Sequence, residues 1–157
     1  MRKQKPLPEE LKPNPKRAYS YVLYLLGKRD YSEKEIRKKM EGWYIQEDID
    51  NAILRAQENG FQSDAEFAHI FSRKKYGARL MRHKLREKGI SDEIIEETLS
   101  NTNAEAKAES VFHSRFPPEK VAKWKDEPEF FKKKQKMVRF MFSRGFELDD
   151  FKHLIDG

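Results

Sequence analysis

Apolar positions along this chain recur at helical spacing, in short bursts divided by glycines, prolines and capping residues. Tyr21, Val22, Leu25 and Leu26 make one apolar face, and the residues from Gly27 to Asp30 read as a stop. Ser32 with Glu35 three residues on forms a capping box, and the helix behind it carries Ile36 and Met40 inward. A break near Gly42 precedes a third helix with Ile49, Ile53 and Leu54 facing a core, ended by Asn59 and Gly60. Ser63 with Glu66 is a second capping box, before a helix that buries Phe67, Ile70 and Phe71. Gly77 and Gly89 bracket the next helix, and Ser91 caps one carrying Ile94, Ile95 and Leu99. Thr102 and Glu105 read as a third box, followed by Ala108, Val111 and Phe112. Pro117, Pro118 and Pro128 predict a long loop over 116–128, with room for one short turn at Trp124. Helix resumes at Phe130, stops at Gly145, and a last helix holds Phe151, Leu154 and Ile155. No stretch alternates apolar and polar residues with turn signals on both sides, so no strand is predicted.

The pattern repeats. Ile36/Met40, Met81/Leu85 and Met137/Met141 are apolar pairs four apart. Five residues beyond each pair stands Ile45, Ile90 or Phe146, and Ile53, Leu99 and Ile155 fall in matching places on the next helix once a one-residue deletion is allowed in the first third. Leu85 follows Met40 by 45 residues and Met141 follows Leu85 by 56, the proline-bounded loop accounting for the excess. The expected fold is all-α: an elongated, curved array of three tandem three-helix repeats at 17–61, 62–101 and 102–157, the last carrying the loop. Residues 1–16, with Pro6, Pro8, Pro13 and Pro15 among several lysines, are expected as a flexible basic tail.

Composition narrows the function classes. The chain has 157 residues, 38% charged and 12% aromatic; the rings argue for a packed core despite the charge. Lys and Arg number 33 against 27 Asp and Glu, a formal charge of +6 that suits a polyanionic partner. There is no cysteine, which excludes thiol chemistry and disulfides and fits a reducing compartment. No apolar run approaches a membrane span, and Met1, Arg2, Lys3, Gln4, Lys5 and Pro6 do not open a secretory signal, so cytoplasm is expected.

Catalytic chemistry is not indicated. His69, His83, His113 and His153 show no metal-ligand spacing, and the seven glycines form no phosphate-cradling loop. Asp92/Glu93, Glu96/Glu97 and Asp149/Asp150 fit first turns or wet faces, where carboxylates complement the helix dipole. No nucleophile is paired with a base, so no enzyme activity, cofactor or metal is expected. What remains is cationic surface. On the helix over 76–90, Arg79, Arg82 and Arg86 share one face, while Met81 and Leu85 lie near the opposite side. Arg73, Lys74 and Lys75 precede it. Lys34, Arg37, Lys38 and Lys39 crowd the matching helix of the first third, and Lys132, Lys133, Lys134 and Lys136 that of the last. The candidate partner- or DNA-binding residues are Arg73, Lys74, Lys75, Tyr76, Arg79, Arg82, Arg86, Lys133 and Lys136. For Tyr76, packing at the helix start competes with partner contact.

Four segments carry a resemblance. RAYSYVLYLLGKRDYSEKEIRKKM opens the pattern, ENGFQSDAEFA joins the first two thirds, RKKYGARLMRHKLREKGISDEIIEETL fills the middle and MVRFMFSRGFELDDFKHLI closes it. Together they resemble the RecX family, regulators of the RecA recombinase, over about residues 17–155. Departures are Gln62 and Ser63 where Leu-Asp or Asp-Asp is more usual, Trp43 and Tyr44 in place of Lys-Gly, and Ala78 where Pro is common. The resemblance implies a crescent of three helical units without catalytic activity that binds RecA filaments on single-stranded DNA and inhibits strand exchange and ATP hydrolysis. The expected partner is that filament, met through acidic surface on RecA, the DNA phosphates within it, or both, with no membrane and a monomeric chain. The residues alone leave two rivals: a stand-alone helix-turn-helix DNA binder, and a helical-repeat scaffold for another acidic protein.

Overall fold

The computed structural model describes residues 2–156; Met1 and Gly157, the ends of the first and last expected segments, lie outside them. Among the described residues ten α-helices follow in order: α1 (Pro15–Lys28), α2 (Glu33–Met40), α3 (Gln46–Glu58), α4 (Asp64–Phe71) and α5 (Ala78–Glu87), then α6 (Asp92–Ser100), α7 (Ala104–Arg115), α8 (Pro118–Lys125), α9 (Phe130–Ser143) and α10 (Leu148–Asp156). No strand forms among the described residues; the one bridge joins Glu41 and Tyr44 across a tight turn. The chain divides into two compact units, Met1–Ile70 with Glu87–Ile94, and Phe71–Arg86 with Ile95–Gly157. The helices of the middle third are therefore shared out between the units.

In the first unit Ala18, Val22 and Leu25 of α1 meet Ile36 and Met40 of α2 and Ile49, Ala52, Ile53 and Ala56 of α3. Small residues at 52 and 56 let α3 approach α1, so the inward stripe runs 49, 52, 53, 56. Leu54, expected inward, falls off that stripe and is 52% exposed. Ser32 caps α2 as expected: its hydroxyl accepts from the Glu35 amide at 3.2 Å, and Glu35 accepts from the Ser32 amide at 3.1 Å. The same hydroxyl, fully buried, donates to the Lys88 carbonyl at 2.6 Å, so one side chain serves the start of α2 and the chain just past α5.

One boundary of this unit needs correction. Helix α1 opens at Pro15, inside the expected tail, because Asn14 accepts from the Arg17 amide at 3.2 Å and proline suits the first helical position. The Asn14 amide in turn donates to the buried Asp48 carboxylate at 2.6 Å, and a 3-10 turn forms at Pro8–Glu10. The turn after α2 falls at Gly42, as expected, and Gly42 takes the left-handed conformation there, at φ 81°.

The second unit is built on larger rings. Ala108, Val111, Phe112 and Phe116 pack with Val121 of α8, Met137 and Met141 of α9, Phe146, and Phe151 and Ile155 of α10. Met81, Leu85 and Ile95 are fully buried in the same unit. The expected loop over 116–128 is largely helix α8. Pro117 is its N-cap and Pro118 its first residue, where the missing amide costs no hydrogen bond. The cap of α7 is Asn103, whose side chain accepts from the Ala106 amide at 3.0 Å; Thr102, expected in that role, donates back to the Thr98 carbonyl at 3.2 Å.

Candidate partner-binding face

The residue before α5 is Gly77, which has no side chain to serve as a cap. The Gly77 amide donates to the Arg144 carbonyl at 2.7 Å and the Arg79 amide to the Gly145 carbonyl at 3.3 Å. Donors left over at the start of α5 thus meet carbonyls left over at the end of α9. The approach is close enough to require glycine on both sides. A Cβ on Gly77 would stand 2.4 Å from the Gly145 carbonyl carbon, and one on Gly145, at φ 89°, would stand 2.4 Å from the Leu80 Cβ.

This junction orients the arginines. Arg79 is exposed and donates through Nη2 to the Phe142 carbonyl at 2.6 Å. Arg82 makes a two-toothed contact with Glu96 of α6, Nε at 2.7 Å and Nη2 at 3.2 Å. The Glu96 hydrogen bonds are the main cause that raises the Arg82 pKa above its already high ordinary value. Arg86 is exposed, and with Arg79, Leu80, Arg82, His83 and Glu147 it lines an open depression of about 490 Å³. The structure therefore brings Arg79, Arg82 and Arg86 to one place, as their spacing predicts. It also brings Glu96 and Glu147 there, which the charge pattern did not reveal.

The other candidate residues divide. Arg73 and Lys75 are exposed in the turn after α4 and pair with no described carboxylate. Lys74 lies over the Phe71 ring, 4.6 Å from its centre. Tyr76 is half-buried beside Gly77, with the Lys84 ammonium 4.8 Å from its ring centre. Lys107, half-buried nearby, donates to the Ser72 carbonyl at 2.7 Å, and burial lowers its pKa. On α9, Lys133 is tied to Glu127 and sits 4.8 Å from the Trp124 ring centre, while Lys136 is exposed. Lys132 pairs with Glu129 at 3.4 Å and Lys134 with Asp156 at 2.6 Å. On α2, Arg37 bridges Glu33 at 3.0 Å and Asp50 at 2.6 Å. Many of the cations that the sequence clusters are thus already engaged inside the fold.

No group of three or more His, Asp or Glu among the described residues could hold a metal ion. No described helix is long and apolar enough to cross a membrane.

Comparison with known proteins places these elements. Family models for the first, second and third three-helix domains of RecX match residues 18–55, 63–99 and 120–155. The first model spans α1 to α3, the second α4 to α6, and the third opens inside α8. The chain is 43% identical over 146 residues to a protein of Actinobacillus pleuropneumoniae serotype 5b named "Regulatory protein RecX", covering 88% of this chain and 91% of that one. A Haemophilus ducreyi protein of the same name is 40% identical over the same shares. The crystal structure of RecX from Lactobacillus salivarius superposes with a TM-score of 0.75 at 20% identity, over 90% of this chain and 94% of that one, which shows the fold. With three consecutive domain matches and relatives of this identity along nearly its whole length, the chain belongs to the RecX family of regulatory proteins.

Proposed function

We propose that this protein is a non-enzymatic regulator that binds RecA filaments on single-stranded DNA and lowers RecA strand exchange and ATP hydrolysis, and so modulates recombination and repair. The observation that carries the reading is the run of three RecX domain matches along the chain. The cationic face of α5 supports it physically. Arg79 and Arg82 are held by a carbonyl and a carboxylate, so they lose little freedom when a partner arrives. Arg73, Lys75 and Lys136 add exposed charge for acidic protein surface or for phosphates. We retain 17–61, 62–101 and 102–157 as the three repeats; α7 packs on α10 as α1 packs on α3, which favours α7 as the first helix of the last one.

RecA ATP hydrolysis on single-stranded DNA, titrated with the protein, tests the reading. The wild-type chain should lower the rate. An Arg73→Glu/Lys75→Glu/Lys136→Glu variant should need about tenfold more protein, the loss of roughly 1.4 kcal/mol of binding. Arg79, Arg82 and Arg86 are left intact because each also has partners within the fold. A chain that leaves hydrolysis unchanged, and binds bare duplex as tightly as filament at equal salt, would instead be a plain DNA binder.

A further inference from the structure

A second concave surface lies in the first unit, away from every residue assigned above. Between the N-terminal segment, α1 and the turn after α2 is an open groove of about 740 Å³. Its floor is aromatic. Tyr21 and Tyr44 stack with ring centres 5.9 Å apart at 29°, Tyr21 also stacks on Tyr24 at 6.3 Å, and Trp43 lines the groove beside them; all three lining aromatics are half-buried. Its rim is cationic, with Lys3, Lys12 and Arg17, none of which pairs with a described carboxylate. The one carboxylate on the lining, Glu10, is turned back to accept from the Leu7 amide at 3.0 Å.

The groove is built by several contacts. Gly42, at φ 81°, reverses the chain so that Trp43 and Tyr44 point at α1, and the Lys5 stem packs over it where a Cβ would stand 2.9 Å away. The Asn14 amide on Asp48 anchors the other end of the N-terminal segment. Rings that offer a face, bordered by unpaired cations, are the arrangement that takes single strands: bases stack on the rings and phosphates lie along the rim. Duplex DNA has its bases already stacked and could use only the cations. An acidic peptide would likewise leave the rings unused.

We propose that this groove binds single-stranded nucleic acid, one or two bases stacking on Trp43 and Tyr44 with phosphates on Lys12, Arg17 and Lys3. The inference does not depend on the RecA reading, and its test contains no RecA. The full chain with Trp124→Phe leaves Trp43 as its one tryptophan. Oligothymidylate and oligouridylate of equal length, an abasic strand of that length and polyglutamate are titrated at low salt. A base-bearing strand should quench Trp43 emission, and the tighter of the two identifies DNA or RNA as the source. In the otherwise wild-type chain, followed by anisotropy of a labelled strand, Trp43→Ala should weaken binding roughly 5- to 150-fold, the worth of one stacked base, while Trp43→Phe keeps most of it. Lys12→Glu/Arg17→Glu should weaken it as well and flatten its salt dependence. Equal binding of the abasic strand or polyglutamate overturns the proposal, as does affinity unchanged by Trp43→Ala.

Discussion

Replacing Gly77 by alanine adds one methyl group where two stretches of backbone meet. Its Cβ would stand 2.4 Å from both the carbon and the oxygen of the Gly145 carbonyl and 2.5 Å from the Phe146 amide nitrogen. Ordinary contact begins near 3.4 Å, so the start of α5 must back away from the α9–α10 turn by about 1 Å. Backbone cannot swing aside as a lysine stem can. Overpacking of this kind costs about 1–3 kcal/mol. The retreat also stretches the hydrogen bonds from Gly77 to Arg144 at 2.7 Å and from Arg79 to Gly145 at 3.3 Å. Each is worth about 1 kcal/mol, which brings the expected loss to roughly 2–5 kcal/mol. For a chain of this size that lowers the melting temperature by roughly 5–15 °C. Gly27, inside α1 with nothing within 4 Å of its Cβ position, is the control. There alanine should stabilise by about 0.5–1 kcal/mol through helix propensity. Thermal melts followed by far-UV circular dichroism decide the matter. If Gly77→Ala melts with the wild type, or with Gly27→Ala, the close approach is not a constraint and the argument fails.

Two further outcomes follow from the network around Ser32. Ser32→Ala removes the α2 cap and strands the Lys88 carbonyl, and should cost about 2–4 kcal/mol, read as a shifted urea midpoint at constant slope. Glu35 supplies a pH dependence. Burial pushes its carboxyl up, but hydrogen bonds from Arg29, the Ser32 amide and Lys88 together outweigh burial and hold it below the ordinary value. Its contribution is therefore complete above the unfolded value of about 4.3 and is lost as pH falls through the lowered folded value. Glu35→Gln should lose less stability than the wild type across that acid window; parallel urea titrations with the same slope against pH would contradict the assignment.

Periodicity made the cores legible. The three apolar pairs, Ile36/Met40, Met81/Leu85 and Met137/Met141, are all fully buried, because a short helix with one apolar face has one way to satisfy it. Helix α8 escaped because proline reads as a breaker from inside a pattern, whereas Pro118 sits at the one helical position that spares its missing amide. Asn103 and Thr102 are adjacent capping types, and only the backbone geometry selects between them. In the candidate site the shared face of Arg79, Arg82 and Arg86 was readable from spacing, since one helix carries all three. That Arg82 is engaged by Glu96 and Arg79 by the Phe142 carbonyl was not, because those partners come from other helices and no local pattern names them. The contact of Gly77 with Gly145 is of the same kind, fixed by tertiary approach.

The buried hydroxyl of Ser32 also bears on how such a chain is inherited. Repetition in sequence suggests cassettes that duplication could add or deletion remove. Yet the first compact unit is completed by Glu87–Ile94, a piece of the middle cassette, whose Lys88 carbonyl takes the Ser32 hydroxyl and whose Ile90 is buried. A deletion neat at the level of the repeat would leave a partnerless hydroxyl and an open hole behind it. Lineages carrying this arrangement are thereby held to substitutions, and a shortened descendant would first have to replace what residues 87–94 provide.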